Sequence, residues 1–200
     1  MKAYEFALVV LGAGWSSATA QEPAVPVDVM VYVTGGTLVP GAENLAAQDT
    51  ASRIFARIGI RIGWLKGKPQ TIKGTANTMM IHVRFVRRPM DDCTSAALAY
   101  ATPFAKGTKT ITILRDRIRL VASSLCPEHC MLAHVLAHEI AHVVQGTNRH
   151  DDTGVMKAVW NREDNAAMGQ GLLDFTATDV ALIRRGLNRP SAWQQMHTNE

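Results

Sequence analysis

Apolar and polar positions change their period several times along the chain. Between Val27 and Val33 every second residue is valine, at 27, 29, 31 and 33. Successive strand side chains point to opposite faces, so this alternation predicts a strand with one buried face. From Ala47 the period lengthens: Ala47, Ala51, Ile54, Phe55 and Ile58 recur at helical spacing, and Gly59 supplies a stop. Ile60, Ile62 and Trp64 return to period two and predict a second strand. Lys66 to Thr75, rich in Gly, Pro and Lys, reads as a loop. Ile81, Val83 and Phe85 mark a third strand, and Leu98–Ala101 and Lys109–Leu114 two shorter ones. The polar stretch from Arg87 to Ala96 loops out between them. Glu128 to Gln145 is a long helical pattern closed by Gly146. Thr176-Ala177-Thr178-Asp179 has the form of a capping box, with Asp in place of the usual Glu or Gln, and opens a C-terminal helix to about Arg185. The order strand, helix, several strands, helix, irregular segment, helix predicts an α+β fold with a mixed β-sheet on one core.

Composition narrows the class. Hydrophobic residues make up 47% of the 200 residues and charged residues 19%, an ordinary globular balance. The basic residues are dispersed (Arg84, Arg87, Arg88; Arg115, Arg117, Arg119; Arg184, Arg185). No stripe interleaves them with aromatics, so they read as solvated surface charge and nucleic acid is not an expected partner. No apolar run is long enough to span a bilayer.

The first twenty residues carry Lys2, an apolar stretch from Ala7 to Trp15, and Ala18-Thr19-Ala20. That is the layout of an export signal with a small-residue cleavage site. The expected organisation is a signal peptide over residues 1–20 and one domain over 21–200. The product would be secreted or periplasmic, begin near Gln21, and not be inserted in a membrane. The formal charge of +4 is unchanged by this cleavage, since Lys2 and Glu5 leave together. Export permits a disulfide among Cys93, Cys126 and Cys130, with one thiol left over. A bridge from Cys93 to one of the other two would tie a loop to the start of the long helix. A Cys/His cluster including His129 lacks the usual spacing of a structural zinc site.

The stretch most informative about chemistry is His138-Glu139-Ile140-Ala141-His142. Residues four apart on a helix share a face, so both imidazoles can reach one ion. Glu139 projects beside the pair, where a carboxylate can act as base toward a water rather than as a ligand. Leu132, Leu136, Ile140 and Val143 form one stripe of this helix, and His134, His138 and His142 lie away from it. The aliphatic stripe is expected in the core and the histidines toward a cleft. A catalytic zinc needs a third protein ligand and an open position. Gly146 permits a left-handed helix exit, after which the chain can fold back and offer His150. Asp151, Asp152 and Glu163 are the rival third ligands. Trp160 and Tyr100 are candidates for the cleft wall or for core packing.

The run His138-Glu139-x-x-His142, Gly146, His150, Met156 resembles the metzincin clan of zinc peptidases in compact form. It is similar to small exported bacterial proteins ending this helix HExxHxxxGxxxHxxxGxM. The resemblance covers Ala133 to Met156 and implies a zincin-like fold, Zn2+ as cofactor, and a peptide or protein substrate. It also implies His138, His142 and His150 as metal ligands, Glu139 as general base, and Met156 in a turn under the metal. In the clan pattern HExxHxxGxxH, Gly is three residues and His six after the second His. Here the separations are four and eight, so the loop is two residues longer. The strand at Lys109–Leu114 is expected at the sheet edge, where it would take substrate by strand addition. Two other readings stand beside the zinc peptidase: a zincin-like zinc-binding domain without peptidase activity, and a secreted interaction module in which HEIAH is accidental.

Overall fold

The structure is a computed structural model that describes residues 27–69, 78–88, 97–105 and 108–188. The signal reading over residues 1–20 and Cys93 lie outside the described residues.

The valine alternation forms β1 (Val29–Thr34), and the helical repeat after it forms α1 (Gly41–Ala56). Ala47, Thr50, Ala51, Ile54 and Phe55 are the buried face of α1. Its end is sharp because Gly59 takes φ 79°, a left-handed conformation that glycine adopts without a Cβ clash. Four further strands follow: β2 (Ile62–Lys66), β3 (Met79–Val86), β4 (Ala99–Ala101) and β5 (Lys109–Leu114). They make one five-stranded sheet in the order β2-β1-β3-β5-β4. All pairings are parallel except β4 with β5, which is antiparallel. The mixed sheet is therefore mostly parallel with one reversed edge.

That order corrects one expectation. Lys109–Leu114 is not the edge; it lies between β3 and β4, and the edge beside it is Ala99–Ala101. The physical reason is visible in burial: Ile111, Ile113 and Leu114 are fully covered, as an interior strand requires.

Among the described residues four more helices follow: α2 (Arg115–Val121), α3 (Glu128–Gln145), α4 (Arg162–Gln170) and α5 (Ala177–Leu187). The odd-numbered residues of β1 and β3 join α1 and α3 in one apolar cluster, with Val31, Ile81, Val83, Ile54, Phe55, Leu132, Leu136 and Ile140 at its centre. Helix α3 is the hub, packing on α1, α2, α4, α5 and three strands. From Met131 to Gln145 every residue of it is buried. The expected split into a core stripe and a cleft-facing stripe is thus modified: the histidine side is covered too, by the chain that returns after Gly146. Helix α5 lies so close to α3 that a Cβ on Gly186 would sit 1.8 Å from the Val144 carbonyl oxygen.

Arg115 also corrects an expectation. It is not solvated surface charge: it is buried, its Nη1 lies 2.5 Å from Glu128 Oε1, and its Nε donates to the Leu38 carbonyl. No described helix is long and apolar enough to cross a membrane.

Candidate metal centre

Two of the three predicted imidazoles come from consecutive turns of α3. His138 and His142 are each less than a tenth exposed. Their rings meet edge to face, and Nε2 of one is 2.9 Å from Nε2 of the other. The helix stops at Gly146, whose φ of 67° turns the chain back while its N–H still reaches the His142 carbonyl. This reversal brings His150 in from the following segment, with Nε2 3.3 Å from His142 Nε2. One ring nitrogen from each of the three histidines lies within 4.8 Å of the other two. The two extra loop residues therefore do not keep His150 away from the pair.

The opposite ring edges explain why the nitrogens point inward. His138 Nδ1 donates to the Val155 carbonyl at 2.8 Å, and His142 Nδ1 to the Thr147 carbonyl at 3.0 Å. A carbonyl only accepts, so both Nδ1 atoms carry hydrogen. Burial holds both imidazoles down to about 4, chiefly by desolvation, so near neutral pH each is uncharged and its Nε2 is a bare lone pair. Lone pairs facing one another at 2.9 Å repel unless a cation lies between them. The donor set fits a borderline metal such as zinc, for which neutral imidazole is a favoured ligand.

The rival ligands are placed elsewhere. Asp151 accepts from Arg149 and from Thr176 Oγ1, while Asp152 and Glu163 are exposed. Among the described residues no carboxylate or thiol joins the three imidazoles. All three imidazoles line one cavity.

Glu139 lies one residue after His138, 8% exposed, on the wall of a cavity of about 550 Å³ shared with all three histidines. Burial alone pushes its carboxyl up from 4.5 to about 7. The edge strand contributes Ala99, Tyr100 and Ala101 to the wall, and Met131 and Val135 of α3 contribute apolar surface. Trp160 closes one side, with Nε1 donating to the Gly154 carbonyl and its ring edge-on to His138 at 5.6 Å.

His134, expected toward the cleft with the other two helix histidines, does not line the cavity. It is fully buried, donates from Nδ1 to the Cys130 carbonyl and accepts the Leu173 N–H at Nε2. Both ring nitrogens are used, so His134 is a strut between α3 and the segment before α5. Met156 is fully buried in the core, one residue from the carbonyl that holds His138. Cys126 and Cys130 are free thiols packed against Met168, and burial pushes Cys126 up to about 12.

No protein-family model matches this chain, and no curated protein matches it. Among solved structures it is similar to metalloproteinase-II from Bacteroides fragilis, with a TM-score of 0.49 and 9% sequence identity. The match covers 82% of this chain and 53% of that one, so this chain spans about half its length. A likeness this loose transfers no residue role.

Proposed function

We propose that this chain is a zinc-dependent peptidase of the zincin type, in which His138, His142 and His150 hold the metal and Glu139 is the general base. The observation that carries the reading is the convergence of three imidazole nitrogens, two with tautomers fixed by backbone carbonyls, beside a buried carboxyl on a cavity wall. When bound, zinc supplies Lewis acidity, acidifying water toward a pKa of about 7 and polarising a carbonyl. Glu139 takes up a proton at its carboxylate oxygen and returns it to the amide nitrogen of the departing product. A carboxyl raised toward 7 is matched to that exchange near neutral pH. Thr147 and Val155 hold the two helix imidazoles in the ligating tautomer, the usual second role of carbonyls around a metal. Ala99–Ala101 is the edge strand of the described sheet and lines the cavity, which suits an extended peptide as substrate.

A purely structural zinc would be closed by a fourth protein ligand. Asp151 was the nearest such group in sequence, and its carboxylate is bound to Arg149 and Thr176 instead. The N-terminal signal pattern supports export, with a mature chain starting near Gln21. The test of the function is hydrolysis of a denatured protein by the purified full chain, before and after chelation and after zinc is returned. Activity lost on chelation and recovered with zinc supports the reading; zinc bound without hydrolysis of any peptide would move the chain to the non-peptidase reading.

A further inference from the structure

The third ligand is the one whose placement the helix does not explain. His138 and His142 are fixed by α3 and by carbonyls on their Nδ1 atoms. His150 is exposed, stands on a loop, and among the described residues no carbonyl accepts from its Nδ1. An unrestrained loop histidine would lose rotamer and backbone freedom on ligation and bind more weakly for it.

The residues on either side of His150 supply the restraint. Arg149 Nη2 reaches Asp151 Oδ1 at 2.6 Å, and Nη1 reaches Asp179 Oδ1 at 3.3 Å. Asp151 Oδ2 accepts from Thr176 Oγ1 at 2.7 Å, and the Asp151 N–H donates to the Met156 carbonyl at 2.8 Å. Thr176 and Asp179 are the two halves of the capping box that starts α5, and Asp179 is fully buried. Arg149 and Asp151 reach the start of α5, and His150, between them in the chain, meets His142. Helix α5 is itself locked to α3 by the close approach of Gly186 to Val144. The frame that carries His138 and His142 thus also carries the anchor for His150.

From this arrangement we infer that Arg149, clasped between Asp151 and the α5 cap residue Asp179, is a positioning residue that presents His150 to the metal. The inference rests on the zinc reading above. It gives the lengthened loop a means of holding its ligand that the sequence motif does not contain.

The test is a double-mutant cycle on zinc affinity, measured on the full chain by competition with a chromophoric chelator. Arg149→Met keeps the aliphatic stem and removes the clasp. It is expected to weaken zinc binding about 10- to 100-fold, the scale for losing a group that orients a ligand. In a His150→Ala background the same change is expected to move affinity by less than about twofold, since the ligand it serves is gone. With Co2+ as probe, the visible spectrum of Arg149→Met should shift toward that of His150→Ala, and Arg149→Lys should recover part of the native spectrum. If Arg149→Met does not fold, Asp151→Asn replaces it in the same cycle. Equal losses in both backgrounds would mark a general structural effect and overturn the proposal. So would native zinc affinity in Arg149→Met, and that result leaves the zinc reading intact. A native chain that binds no zinc removes both.

Discussion

Replacing Glu139 by Gln separates what this carboxyl does for chemistry from what it does to stability. Gln keeps the size and polarity but cannot take up the proton. Loss of a general base costs about 10²- to 10⁴-fold in rate, or about 2.7 kcal/mol of barrier at the lower end. Zinc content should not change, because Glu139 is beside the imidazoles and not among them. The stability of the metal-free protein should move the other way. Glu139 is 8% exposed, and burial raises its carboxyl from 4.5 to about 7. The folded state therefore holds its proton more tightly than the unfolded chain, and stability falls as pH rises from 4.5 through 7. Above that window the cost of burying the carboxylate reaches about 3 kcal/mol, taking about 1.36 kcal/mol per tenfold. Glu139→Gln removes this cost, so the chelated variant should melt about 6–12 °C higher than the chelated native protein at pH 8. Hydrolysis of a fluorogenic peptide library and calorimetry of the chelated proteins measure the two halves. A variant that hydrolyses as fast as the native chain refutes the base assignment, and an unchanged Tm refutes the burial argument.

Three further outcomes are expected. His138→Ala and His142→Ala should each abolish stoichiometric zinc, read by mass spectrometry of the metal, whereas His150→Ala should retain it with weakened affinity; full zinc in either helix variant would refute the ligand set. Burial lowers His138 and His142 from 6.5 to about 4, so the folded state binds fewer protons there than the unfolded chain; denaturant melts of the chelated double variant His138→Gln/His142→Gln should lack part of the stability loss that the native chain shows between pH 6.5 and 4. Gly186→Ala places a Cβ 1.8 Å from the Val144 carbonyl oxygen, and forcing α5 off α3 should cost about 1–3 kcal/mol, seen as a lower Tm; an unchanged Tm would mean that the two helices separate freely.

The parts of this fold that could be read from the chain are those where burial imposes a period. The strand at Lys109–Leu114 and the helix at Glu128–Gln145 begin and end where their patterns do. The capping box at Thr176 and Asp179 forms as its spacing requires. Helices α2 and α4 were not legible because they bury too little: Arg115 and Ile118 in one, Met168 alone in the other. For α4 a local signal was present, since Asn161 and Asp164 form a capping box, and Asn-x-x-Asp is a helix start. The edge strand was misassigned because strand order is a property of pairing, and no period along one strand reports its neighbours. At the site, the spacing of His138, Glu139 and His142 specifies their shared face. His150 could be proposed from Gly146, but the partners that fix it, Arg149, Asp151 and Asp179, are 30 residues apart at their extremes and become neighbours only when α5 docks on α3.

X-ray absorption at the zinc edge of the purified full chain tests the central claim most directly. The expected result is one zinc per chain, with three imidazole nitrogens at about 2.0–2.1 Å and one exchangeable oxygen ligand. The imidazole contribution should fall by one in His150→Ala. A sulfur-ligated zinc, a site closed by a fourth protein ligand, or a chain that takes up no zinc at saturating metal would contradict it.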